Sequence, residues 1–96
     1  MPLDIVDLNM LKVIDFYADW CGPCHMMEPI IKDLEKELGD KVKFEKVDVD
    51  ADGEKAQEFE VLSIPTFVIM KNGKEVDRIV GARGKGQFKQ MIESHL

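Results

Sequence analysis

The hydrophobic positions fall into segments of two periods. From Lys12 to Tyr17 (Lys-Val-Ile-Asp-Phe-Tyr) both pleat faces, Val13/Tyr17 and Ile14/Phe16, are apolar. This predicts a strand buried on two sides. After Cys21-Gly22-Pro23-Cys24, apolar residues recur at Met27, Ile30, Ile31, Leu34 and Leu38, a helical spacing that Gly39 is expected to end. Pro29 inside that pattern predicts a kink. Val42 to Val49 alternates again and predicts a second strand, and strand, helix and strand in this order imply a parallel pair. Asp52 and Gly53 look like a helix start, with Ala56, Phe59 and Glu60 continuing one short helix. Thr66 to Met70 and Glu75 to Val80 flank Lys71-Asn72-Gly73-Lys74, and Asn-Gly predicts an antiparallel hairpin. Gly84 to Gly86 open a last helix with Phe88, Met91, Ile92 and Leu96 on one face. The expectation is an α/β fold, a mixed central sheet of about four strands flanked by helices on both faces.

The chain has 96 residues, which fits one domain over residues 1–96, and its composition contains no linker or low-complexity tract. A net charge of -6 opposes contact with phosphates, so neither nucleic acid nor a membrane surface is expected as a partner. The first ten residues hold Asp4 and Asp7 and no base, unlike an export signal, and no stretch approaches the roughly 20 apolar residues of a membrane span. A cytoplasmic location is therefore expected. There a lone cysteine pair is more often catalytic or metal-binding than structural.

Cys21 falls just past the carboxyl end of a buried strand and at the mouth of the next helix. Unpaired N–H groups and the partial positive charge of a helix start favour a thiolate there, the attacking species in disulfide exchange. Two intervening residues bring Cys24 within reach of Cys21, and Pro23 suits a first turn that needs no donor. Two other readings of Cys-x-x-Cys remain open. A closed zinc site needs four ligands, and the only histidines are His25 and His95, so no metal is expected. Cys21-x-x-Cys24-His25 also matches the attachment pattern of c-type haem, although attachment normally follows export.

Asp15 shares a face with Val13 and Tyr17, so its carboxylate is expected to be buried. Burial without a counter-charge raises a carboxyl pKa and makes Asp15 a candidate acceptor for the Cys24 proton. Trp20, in the loop before Cys21, is expected to be partly exposed. Met26, Met27 and Met91 are read as core filler, and Lys32 to Lys36 as a solvated helix face. His25, following Cys24, is expected to face solvent and to tune the Cys21 thiolate through its charge.

Together these residues carry a resemblance. Trp20-Cys21-Gly22-Pro23-Cys24, preceded by Val13-Ile14-Asp15-Phe16 and followed by Ile64-Pro65-Thr66, Lys71-Asn72-Gly73 and Val80-Gly81-Ala82, resembles the thioredoxin family in sequence, order and spacing from about Lys12 to Leu96. The resemblance implies a thiol-disulfide oxidoreductase that reduces protein disulfides through a Cys21–Cys24 dithiol/disulfide cycle. It implies no cofactor beyond that pair, disulfide-containing client proteins, a thioredoxin reductase as electron donor, and a monomer. It also implies a cis bond before Pro65, pairing of the Ile64 backbone with an extended client segment, and a lysine, Lys46, near Asp15. Trp20, Gly22, Pro23, Ile64, Pro65, Gly81 and Ala82 would form the client-binding surface around Cys21. Pro65, without an N–H, is read as marking an open sheet edge. Tyr17 stands where the family commonly has tryptophan, and His25 where lysine or arginine is usual. Too few residues precede Lys12 for the strand and helix the family usually has there, so a four-stranded sheet is expected, closer to the minimal core that looks like glutaredoxin. Residues 1 to about 8 are expected to contribute little. A docking module that uses the same apolar patch for a fixed partner is the second function class, and an intact cysteine pair argues against it.

Overall fold

The computed structural model describes residues 10–96, so the expectations for residues 1 to about 8 lie outside the described residues. Seven elements follow in order: β1 (Leu11–Tyr17), α1 (Gly22–Leu38), β2 (Val42–Asp48), α2 (Gly53–Glu58), β3 (Thr66–Lys71), β4 (Lys74–Val80) and α3 (Lys85–Glu93). The four strands form one mixed sheet in the order β2-β1-β3-β4, with β1 and β2 parallel and the other neighbours antiparallel.

The two apolar faces of β1 are covered by different helices. Leu11 and Val13 pack with Met27, Ile31, Leu34 and Leu38 of α1 and with Phe88 and Ile92 of α3. Ile14 and Phe16 point the other way, into a smaller cluster that Ala56, Phe59 and Val61 close. Phe67 meets Phe88 edge-on at 4.7 Å on the first face, and Phe16 meets Phe59 at 5.7 Å on the second. One strand with two apolar faces thus needs helices on both sides of the sheet.

The hairpin turns in two residues instead of the four suggested by the sequence. Asn72 (φ 55) and Gly73 (φ 78) both take positive φ, the combination that matches a hairpin's twist, so Lys71 and Lys74 are free to pair. Between Ile69 and Met70 the register slips by one residue, which leaves Val76 without an opposite partner.

Two local expectations, those for Glu60 and Leu96, need correction. Helix α1 runs as one 17-residue element through Pro29. Gly39 ends it, as expected, in the ordinary right-handed region, φ -60. Glu60 lies beyond α2 with φ 55, where its N–H donates to Gln57 O and the next N–H, from Val61, to Ala56 O. These two bonds cap the helix, so a glutamate fills the position that glycine normally takes. Leu96 lies past the end of α3 and is exposed, because the helix stops at Glu93 before the apolar stripe reaches it.

Candidate active site around Cys21 and Cys24

Strand β1 ends at Tyr17, and a turn closed by Cys21 N–H donating to Ala18 O (3.1 Å) carries the chain to α1. Cys21 is the N-cap of that helix. Its backbone is extended (φ -88, ψ 108), and its Sγ accepts from the Cys24 N–H at 3.1 Å. The sulfur therefore occupies the place of a capping oxygen, in line with the helix's free N–H groups, where negative charge is most stabilised. Cys21 and Cys24 are joined by a disulfide, with Cα atoms 5.3 Å apart. Gly22 and Pro23 between them are exposed.

The cysteines themselves are not exposed. Cys21 is 4% and Cys24 6% accessible, so exposure does not set Cys21 apart from Cys24 in the oxidised pair. Ala18 lies under both, and Tyr17, Val49 and Ile64 pack around them. Direction distinguishes the two residues where exposure does not. Cys24 lines a crevice too narrow to admit a water molecule, with Asp15, Tyr17, Ala18, His25, Glu28 and Lys46, and Cys21 does not reach it.

Asp15 is buried, as its strand pattern predicts, at 6% accessibility. Burial pushes its carboxyl pKa up to about 6, Lys46 pulls it back, and Glu28 adds to the rise. Lys46 sits opposite Asp15 in the parallel register, yet its ammonium bonds Glu28 Oε2 at 3.4 Å and lies 4.4 Å from the centre of the Tyr17 ring. His25 is exposed but held. Its Nδ1 is 3.2 Å from Glu28 Oε1 and its Nε2 2.5 Å from the Asp19 carbonyl oxygen, and these contacts raise its pKa above 6.5, the backbone contact most. It borders the crevice at Cys24 and Asp15.

Ile64 and Pro65 are joined by a cis peptide bond, and Ile64 packs against the cysteine cluster. Pro65 does not mark a sheet edge: β3 is a central strand, and the Pro65 carbonyl accepts from Gly81 N–H at 2.8 Å. Gly81 takes φ 92, a conformation open mainly to glycine. Thr66, nearly inaccessible, donates its hydroxyl to Ser63 O at 2.7 Å and fixes the bend before β3.

The apolar surface divides into two grooves. Trp20, 71% exposed, borders one of about 370 Å³ with Val49, Ala56, Val61, Leu62 and Ile64. Ala82 borders another of about 310 Å³ with Met26, Met27, Ile30 and Arg83. Met27 is core, as expected. Met26 is not: at 69% exposure it faces outward beside Ala82. Sequence reasoning missed three residues here. Leu62, 96% exposed, stands two positions before the recognised Ile64-Pro65-Thr66 run. Asp50 accepts from the Trp20 indole N–H at 2.8 Å, and only the tertiary structure brings the two together. Glu28 sits three residues after His25, a helical spacing that offers a signal in retrospect.

Comparison with known proteins agrees with this geometry. The family model described as Thioredoxin matches residues 4–94. The chain is 43% identical over 82 residues to the thioredoxin of Bacillus subtilis (strain 168), covering 85% of this chain and 79% of that one. It is also 43% identical over 82 residues to the bifunctional thioredoxin reductase/thioredoxin of Mycobacterium leprae (strain TN), covering 85% of this chain and 18% of that one. Among solved structures, Fasciola hepatica thioredoxin superposes with a TM-score of 0.85 at 44% identity, over 92% of this chain and 83% of that one.

Proposed function

The chain belongs to the thioredoxin family, and on that premise we propose that Cys21 is the attacking sulfur, Cys24 the resolving sulfur and Asp15 the acceptor of the Cys24 proton. The activity is thiol-disulfide exchange, and the chain is a thioredoxin-type protein disulfide reductase. One observation carries the division of roles: Cys21 Sγ accepts the helix N–H of Cys24, whereas Cys24 shares its crevice with Asp15.

In the first step the Cys21 thiolate attacks one sulfur of a client disulfide. A bond forms from Cys21 to that sulfur, the client S–S bond breaks, and the second client sulfur leaves as a thiolate that takes a proton from water. In the second step Asp15 takes the proton of the Cys24 thiol, and the resulting thiolate attacks Cys21 Sγ. The Cys21–Cys24 bond forms, the bond from Cys21 to the client breaks, and the client's first sulfur leaves as a thiolate that takes a proton from water. Two electrons have moved from the pair to the client, and the protein is left oxidised, with the Cys21–Cys24 disulfide present in this structure.

The client would lie across Trp20, Gly22, Pro23, Ile64, Pro65, Gly81 and Ala82, its extended backbone pairing with that of Ile64. Exposed Leu62 extends that surface. The cycle requires no cofactor beyond the cysteine pair. A thioredoxin reductase would return the electrons, and a relative that fuses the two activities in one chain supports that assignment. Action as a monomer in the cytoplasm completes the reading, and no helix among the described residues is long and apolar enough to cross a membrane. Haem attachment at Cys21-x-x-Cys24-His25 is not favoured, because both ring nitrogens of His25 are engaged by Asp19 and Glu28. A purely docking role is not favoured either, since it gives the cysteine pair no task.

The test is reduction of insulin disulfides by the chain, first with dithiothreitol and then with a thioredoxin reductase and NADPH. Turnover with both supports the full reading. Turnover with dithiothreitol alone would remove the reductase from it, and no turnover with either would overturn it.

A further inference from the structure

Asp15 and Lys46 are opposite neighbours on parallel strands, and their side chains line the same crevice. An ammonium so placed would be expected to pair with the buried carboxylate. It does not: among the described residues no ion pair within 4.0 Å involves Asp15, and Lys46 turns to Glu28 Oε2. Glu28 is one helical turn beyond Cys24, and its other oxygen meets His25 Nδ1. Both nitrogens of that ring face oxygen acceptors, Glu28 Oε1 and Asp19 O, so only the doubly protonated imidazolium donates at both. Glu28 thus lies between two cations at the mouth of the crevice, with Asp15 and Cys24 behind it.

We infer that Glu28 is a positioning residue for the resolving step: by holding Lys46 on one carboxylate oxygen and His25 on the other, it keeps the Asp15 carboxylate out of a direct ion pair and available to the Cys24 thiol. This rests on the reading that Asp15 takes the Cys24 proton. A contacting ammonium stabilises a carboxylate and weakens it as a base, commonly by 1 to 3 pKa units. The proton acceptor of a thiol gains from the opposite condition. The groups that face Asp15 are Tyr17 on its own strand, Lys46 on β2, and Cys24, His25 and Glu28 on α1, while its β3 neighbour Phe67 carries no charge. Of these, Lys46 and the protonated His25 are the cations that could neutralise Asp15 by pairing, and Glu28 engages both. The shift of Asp15, raised by burial and by Glu28 and lowered by Lys46, has the sign this arrangement requires.

The experiment follows the two thionitrobenzoate releases when the reduced full chain reacts with dithionitrobenzoate between pH 5 and 8. The first reports attack by Cys21, the second resolution by Cys24. Glu28→Gln should keep the circular dichroism spectrum of the wild type, which shows an intact fold, and should change the first release less than the second. It should move the acid limb of the second release lower by about one pH unit, as Lys46 swings to Asp15, and slow the release severalfold at pH 7. In a Lys46→Met background the same Glu28→Gln change should move that limb less than half as far, because the competing cation is gone. Equal movement in both backgrounds, or none in Glu28→Gln, would overturn the inference. Asp15→Asn is the companion measurement and should slow the second release at least about tenfold. If it does not, the role given to Asp15 fails, an outcome distinct from failure of Glu28 alone.

Discussion

The indole Nε1 of Trp20 donates to Asp50 Oδ2 at 2.8 Å, so a hydrogen bond, with little burial, holds the most exposed aromatic ring beside the cysteines. It ties the loop between β1 and α1 to the turn after β2, where Asp50 N–H in turn donates to Asp48 Oδ1 at 2.9 Å. The ring thereby forms one wall of the groove that ends at Ile64.

Asp50→Ala should therefore free the ring without unfolding the site. A hydrogen bond to a charged group contributes about 1.5 to 3 kcal/mol when well formed and less when exposed, so KM for a protein client should rise about three- to tenfold with kcat little changed. Trp20 is the only tryptophan, so fluorescence anisotropy reads its freedom directly, and the decay should be faster in the variant. An unchanged decay would show that packing, and not Asp50, holds the ring.

The order of attack is tested by trapping. Cys24→Ser should accumulate a mixed disulfide between Cys21 and a client, and Cys21→Ser should accumulate none. Mass spectrometry of tryptic peptides identifies the linked cysteine, and a stable adduct on Cys24 would reverse the two roles.

Asp15→Asn should change how stability depends on pH. The native carboxyl titrates near 6, above its ordinary 3.8, so folding favours the protonated form. That preference stabilises the native state fully below about pH 3.8 and is lost as pH rises through 6. Above pH 6 the wild type carries a buried carboxylate at a cost of up to about 3 kcal/mol, from a displacement of about two pKa units. The variant should thus be the more stable protein at pH 7.5, by about 1 to 3 kcal/mol, and should lose that advantage near pH 4. Denaturant titrations of both oxidised proteins at the two pH values decide this, and a constant difference between them would mean that Asp15 does not titrate as described.

His25 should titrate above 6.5 in NMR spectra of its imidazole, because its contacts with Asp19 and Glu28 favour the charged ring. Glu28→Gln should lower that midpoint. His25→Lys fixes the local charge and should flatten the pH dependence of Cys21 alkylation between roughly pH 6 and 7.5. Superimposable alkylation profiles would confine His25 to the crevice at Cys24 and remove any influence on Cys21.

Much of the fold is local and was therefore legible. The two-sided apolar pattern of β1 predicts helices on both faces, Asn72-Gly73 predicts the hairpin, and Asp52 predicts the start of α2, where its side chain accepts from Lys55 N–H at 3.1 Å. The cysteine pair, its place at a helix start and the burial of Asp15 follow from the same short-range rules. The misreadings also have local causes. Helical spacing put Leu96 on the α3 stripe, but spacing does not say where a helix stops, and Met26 fell among core methionines because composition does not distinguish adjacent helical positions.

What the sequence determined by itself is whatever depends on neighbours within a turn or on the alternation of a strand: the elements, their order, the reactive pair and the buried acid. The tertiary structure alone decided which charges meet. Asp15 and Lys46 are 31 positions apart, Lys46 and Glu28 are 18 apart, and Trp20 and Asp50 are 30 apart. Each pairing turns on a few ångströms of side-chain reach at the junction of β1, β2 and α1. Coulomb energy falls with distance and a hydrogen bond needs both distance and angle, so a sequence that specifies the sheet register still leaves open whether an ammonium turns toward one carboxylate or its neighbour. In this site it turns to Glu28, and Asp15 is left facing Cys24.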